Sequence, residues 1–126
     1  MRSFIIAGCI LLVLLMGLWV YHATLRNIGY KNIEKLEIIY GLVDEDRWEE
    51  SEAVYLIFRE EYQQKERKLK ALIDHAEMDN IESSLIATEE FIKTRSKPDA
   101  LDAVARAIFY IKHIEEKNRF NVENVL

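Results

Sequence analysis

Ile73-Asp74-His75-Ala76-Glu77-Met78-Asp79-Asn80-Ile81-Glu82 reads as the start of a helix, and the character of the chain's soluble part is decided there. Asp74 stands at the N-cap, Glu77 completes a capping box at N3, and Ile73 and Met78 take the two positions of a hydrophobic staple. The Asp74 carboxylate accepts from the unpaired amides of the first turn, and Glu77 adds negative charge near the positive helix end. A helix is therefore predicted from His75 to about Lys93, burying Met78, Ile81, Leu85, Thr88 and Ile92 at spacings of three and four. Trp48, Asp74, Glu77 and Ile81 are the residues expected to carry structure.

Beyond this helix, Thr94 to Pro98 is a breaker. Proline is favoured in a first turn, so Pro98 begins a fourth helix, with Ser96 or Lys97 as its cap and Asp99 and Asp102 complementing its dipole. Leu101, Val104, Ile108 and Ile111 form its expected inward stripe, and after Lys117-Asn118 a last short turn is capped by Asn121 and stapled by Phe120 and Val125.

On the other side, a second helix is predicted to start at Asp44 or Asp46 and to carry a seam of Trp48, Tyr55, Tyr62 and Leu69 beside Phe58 and Leu72, interrupted by Ser51 and Lys65. Ala53 to Phe58 is apolar all round, which predicts neighbours on more than one side. Leu25, Ile28, Tyr30, Ile33, Leu36, Tyr40 and Val43 recur at helical spacing and predict a first soluble helix over about Arg26 to Leu42. Gly29 is its expected hinge and Gly41 its expected stop.

Phe4 to Tyr21 carries no charge, and as a helix it reaches about 27 Å, enough for a thin bilayer. Trp19 and Tyr21 sit at its edge, where amphipathic rings prefer the headgroup layer. A cleaved signal needs an Ala-x-Ala-like site after the run, and none follows. Ile6-Ala7-Gly8-Cys9 looks like a lipobox, but too few apolar residues precede the cysteine. The expected architecture is all-α: a single transmembrane helix (1–24), then a compact bundle of about four helices (25–126). Arg26, Lys31 and Lys35 flank the far side of the span, and a charge count favours a cytoplasmic domain. A short N-terminal segment bearing Arg2 is the usual start of an exporting signal anchor, and an extracytoplasmic domain is the orientation adopted.

The chain has 126 residues and a net charge of −5, so its surface repels phosphates and nucleic acid is not an expected partner. The basic run Lys65-Glu66-Arg67-Lys68-Leu69-Lys70 reads as a solvated stretch of helix. With Cys9 as its one cysteine, the chain has no internal disulfide and no thiolate zinc cluster. Few glycines, one proline and no bounded alternating runs argue against a sheet.

Asp46-Arg47-Trp48-Glu49-Glu50, the stretch from Ile73 to Glu82, Ala100-Leu101 leading to His113-Ile114-Glu115-Glu116-Lys117, and the closing Asn121-Val122-Glu123-Asn124-Val125-Leu126 together resemble the domain-of-unknown-function 4363 family of small membrane-anchored proteins from Firmicutes. The resemblance spans nearly the whole chain. Glu115 stands where the family's His-Ile-Pro-Glu-like turn has proline, and glutamate lets the fourth helix continue. The resemblance implies an anchored helical domain of a spore-forming bacterium and transfers no catalytic residue.

His75, Asp79 and Glu82 project from one helix flank, since residues three, four and seven apart lie on adjoining turns. An imidazole and two carboxylates suit a divalent metal, and His113 with Glu116 would complete a site if the two helices packed side by side. The favoured reading is plainer: His75 bonds a neighbouring carboxylate, the acids pair with lysines or arginines, and no cofactor is bound. Ser83 and Ser84 lack an elbow or an activating partner, so no enzyme is expected. The expected function is that of an interaction or structural module in an envelope or spore membrane. Its expected partners are the membrane and another membrane or envelope protein, with self-association left open; a metal-binding sensor or buffer is the alternative.

Overall fold

Four helices account for nearly all of the chain in a computed structural model, which describes residues 1–125, with side chains as far as Lys117. They are α1 (Arg2–Asp44), α2 (Trp48–Leu72), α3 (His75–Lys93) and α4 (Lys97–Val125), and no strand occurs among the described residues. Links this short force each helix to run antiparallel to the one before. Around the bundle α1 packs on α2 and α4, and α3 packs on the same two, an up-down-up-down arrangement.

The longest element has two lives. Its N-terminal part is apolar and fully exposed, long enough and apolar enough to cross a membrane. From Leu25 onward the same helix buries Ile28, Leu36, Ile39 and Val43 in the core. Gly29 is not a hinge. The helix passes straight through it, and a Cβ built there would lie 3.8 Å from Ile111 Cγ2 and 3.9 Å from Glu115 Oε2 on α4. A helical glycine costs about 1 kcal/mol against alanine, less than two or three buried aliphatic neighbours contribute. Nor is Gly41 the stop, because α1 continues to Asp44.

The actual stop is a Schellman motif closed by a residue other than glycine. Asp46 adopts φ 60°, its amide donates to the Val43 carbonyl at 3.0 Å, and the Arg47 amide reaches the Leu42 carbonyl at 2.8 Å. The end of α3 repeats this around Arg95 (φ 53°), with Arg95 N–H to the Ile92 carbonyl at 3.1 Å and Ser96 N–H to the Phe91 carbonyl at 3.0 Å. Both turns lie at the pole of the bundle remote from the apolar span.

α2 buries Ser51, Tyr55, Phe58, Tyr62 and Leu69, the predicted seam with Trp48 only half-buried at its edge. Ser51 interrupts the seam without cost because its hydroxyl donates to the Trp48 carbonyl at 2.8 Å. Ala53 to Phe58 has neighbours on more than one side, since α2 packs on both α1 and α3, but its outer face stays open: Ala53 is exposed, and Leu56 and Ile57 are 54% and 59% exposed. Tyr30 and Tyr40 also point outward, and Asn32 and Ile39 occupy the inward positions instead.

α3 buries Met78, Ile81, Leu85, Thr88 and Ile92 as its spacing predicts, with Thr88 donating to the Ser84 carbonyl at 2.8 Å. On α4 the core positions are Ala100, Val104, Ala107, Ile111 and Ile114, while Leu101 and Ile108 are half-buried. The stripe is thus turned toward small residues, which let α4 approach its neighbours closely. α4 runs on through Glu115 to Val125, so the separate closing turn is absent. The staple assigned to Phe120 and Val125 lies outside the described side chains.

Candidate functional site

Asp74 is the N-cap residue of α3 by backbone geometry (φ −60°, ψ 142°), yet its side chain makes no cap hydrogen bond. Glu77 does not close a capping box: it accepts from Lys117 Nζ at 3.1 Å and ties α3 to α4. The tertiary partner wins because Lys117 brings a full charge, whereas the amide of the N-cap is reached equally well by solvent. Ile81 is buried, as expected, and Ile73 packs against the core while His75 is exposed.

The other members of the ligand-like flank are spread apart. Asp79 is exposed, and Glu82 turns to α2, where both guanidinium nitrogens of Arg59 hold it, Nη1 to Oε2 at 3.0 Å and Nη2 to Oε1. His113 stacks on exposed Phe109 with ring centroids 6.1 Å apart, and Glu116 is exposed. Among the described residues no group of three or more His, Cys, Asp or Glu is arranged to hold a metal ion.

What the fold does assemble is a polar seam between α2 and α3. Tyr55 donates to the Leu85 carbonyl at 2.6 Å, and the Arg59 guanidinium lies 5.7 Å from the Tyr62 ring centroid while gripping Glu82. Burial raises the pKa of both phenols well above the usual tyrosine range. Burial works against the Arg59 charge, and the Glu82 carboxylate more than offsets it, so the pKa of Arg59 is also raised. Arg59 is the functional-looking residue that the sequence pattern concealed. The available signal was its position one turn after Tyr55 and just before Tyr62, beside the aromatic seam. Tyr62 also borders an apolar cavity of about 30 Å³ among α1, α2, α3 and α4.

A second assembly sits at the remote pole. The left-handed residues Asp46 and Arg95 face each other's turns: Lys97 Nζ lies 3.4 Å from Asp46 Oδ1, and Arg95 Nη2 lies 4.0 Å from Glu49 Oε1. Arg47 is held by Glu50 (Nε to Oε1, 3.1 Å) and by Glu45 (Nη1 to Oε2, 3.3 Å), hydrogen bonds that raise its pKa. Together Asp46, Arg47, Trp48, Glu49, Glu50 and Arg95 line an open cleft of about 250 Å³. The cleft is open, carries charges of both signs and lies beside half-buried Trp48. A left-handed conformation costs a residue with a side chain about 1–2 kcal/mol, and such strain tends to collect where a surface is used. Aspartate tolerates it, which was a readable sign at Asp46; Arg95 offered none.

The family model described as "Domain of unknown function (DUF4363)" matches residues 18–125. No curated protein and no solved structure matches the chain.

Proposed function

Because the chain belongs to the DUF4363 family, whose description assigns no activity, we propose that it is a non-enzymatic, membrane-anchored interaction module. The apolar half of α1 tethers it, and the bundle holds a recognition surface away from the lipid. The observation that carries this reading is the distance between the two. From Tyr21 at the edge of the apolar run to the cleft beyond Asp44, α1 is unbroken, and at helical rise the two are about 35 Å apart along it, which supports a surface held away from the lipid. The partner is another protein of the same membrane or envelope. A Gram-positive envelope or spore membrane is the setting suggested by the resemblance, and an exported bundle is the orientation favoured by the short basic N-terminal segment.

A photo-crosslinking residue at Glu49, whose side chain is 92% exposed, tests the proposal in native membranes. Expected is one reproducible adduct that is lost on charge reversal of Arg47 and is not formed from a crosslinker at exposed Ala71, near the membrane end. Repeated absence of any specific adduct from Glu49 would count against the reading. A cysteine introduced after Asn118 and probed with an impermeant reagent in intact cells reports the side of the membrane.

A further inference from the structure

The basic run at the end of α2 is the feature whose meaning changes most between sequence and structure. Between Lys65 and Lys70 four cations meet one carboxylate, Glu66, whereas at the remote pole Asp44 to Glu52 gathers six carboxylates around Arg47. The chain is acidic overall, yet its charge is sorted along the bundle axis.

The fold decides which end faces the bilayer. Tyr21, at the edge of the apolar span, donates its hydroxyl hydrogen bond to the Leu72 carbonyl at 3.2 Å, pinning the last turn of α2 to the point where α1 leaves the lipid. At helical rise Lys70 and Lys68 stand roughly 3 and 6 Å up the axis from Leu72, and Lys65 roughly 10 Å. All but the last lie within one Debye length, about 8 Å at physiological ionic strength. Arg67, Lys68 and Lys70 are exposed, and Arg26 is exposed on α1 just above the span. The acids at this end are partly occupied: Glu66 pairs with Lys70 at 3.1 Å and Glu77 with Lys117 at 3.1 Å, leaving Asp74, Asp79 and Glu116 as exposed carboxylates without an ion-pair partner among the described residues.

We propose that Arg67, Lys68 and Lys70, with Arg26, form a contact surface for anionic phospholipid headgroups that seats the membrane end of the bundle on the bilayer. The contact rests on reading the apolar half of α1 as a membrane span. Arg67 and Lys68 have no carboxylate partner among the described residues, and Lys70 exchanges its exposed pair with Glu66 for a headgroup phosphate; the acidic remote pole is repelled by the same lipids, so both ends favour one upright orientation. Phosphate chemistry is recognised here by exposed point charges at a membrane surface.

The test uses the full chain in nanodiscs of phosphatidylcholine alone or mixed with phosphatidylglycerol. Lysine modification by an amine reagent is read residue by residue by mass spectrometry. Expected is labelling of Lys68 and Lys70 about fivefold slower in the anionic discs, restored by high salt, with exposed Lys93 at the remote pole unchanged as the internal control. Equal labelling of Lys68 and Lys70 in the two discs, or equal slowing of Lys93, overturns the headgroup contact while leaving the anchor intact. A chain that enters neither disc overturns the anchor and the contact together.

Discussion

Tyr55 and Tyr62 lie two turns apart on α2, and each is 1% exposed, but their hydroxyls have opposite fates. That of Tyr55 donates to the Leu85 carbonyl at 2.6 Å; that of Tyr62 has no hydrogen-bond partner among the described residues. Replacing each with phenylalanine removes one oxygen from an otherwise unchanged ring. Tyr55→Phe loses a hydrogen bond worth about 1 kcal/mol net, with the Leu85 carbonyl still held in the α3 ladder. Tyr62→Phe removes a buried group that costs about 1–3 kcal/mol while unsatisfied, so the variant should gain about 1 kcal/mol. The two variants should differ by about 2 kcal/mol, or roughly 10 °C in melting temperature for a domain of about 100 residues. The assay is thermal unfolding of the full chain in detergent micelles, followed by far-ultraviolet circular dichroism. If Tyr62→Phe melts as low as Tyr55→Phe, the Tyr62 hydroxyl has a partner, and the packing around the cavity is wrong.

The same two phenols set an alkaline limit. Their folded pKa values are raised by burial, so their contribution is fully present below the unfolded tyrosine value near 10 and is lost as pH rises above it. Stability should therefore fall above about pH 10 by up to about 1.4 kcal/mol per pH unit for each, and the double phenylalanine variant should show a flatter pH profile in denaturant titrations. Removing either partner of the half-buried Arg59–Glu82 pair, as Arg59→Ala or Glu82→Ala, should cost about 1–2 kcal/mol. A double-mutant cycle should return a coupling of about 1 kcal/mol, and a coupling near zero would mean that the pair is merely solvated. Asp46→Gly and Arg95→Gly should each stabilise by about 0.5–1 kcal/mol by relieving the left-handed conformation, measured as a rise in the denaturation midpoint. A simultaneous loss of the Glu49 crosslink would connect the strained turns to recognition. Gly29→Ala should also stabilise, by about 0.5–1 kcal/mol, because the new methyl group finds ordinary contact distances; a destabilised variant would restore the hinge reading.

Periodicity and local chemistry were enough to find the helices, though not every end: α2 begins at Trp48 rather than at Asp44 or Asp46, because Asp44 still belongs to α1 and Asp46 closes its turn. An eighteen-residue apolar run, a 3–4 spacing on α3 and a heptad seam on α2 each follow from the geometry of one helix, with no knowledge of its neighbours. The end of α3 near Lys93 and the start of α4 beside Pro98 were legible for the same reason. Where a position's role depends on another helix, the pattern was silent or misleading. Gly29 and Gly41 look like breakers until α1 is seen to continue through both, Gly29 being packed against α4. Glu77 looks like half of a capping box until Lys117, forty residues away, claims it.

The candidate site divides along the same line. His75, Asp79 and Glu82 share a helix flank, and that much the spacing established. Whether a flank becomes a site depends on what faces it, and Arg59 faces Glu82. The sequence by itself determined a chain of helices with one apolar run long enough to span a bilayer, because hydrogen bonding and side-chain periodicity within a helix are local. Only the tertiary structure decided that the basic run of α2 lies at the end of the bundle beside the apolar run and the acidic turns at the other, because charge acquires a location only when antiparallel packing and the Tyr21–Leu72 hydrogen bond set one helix end against another.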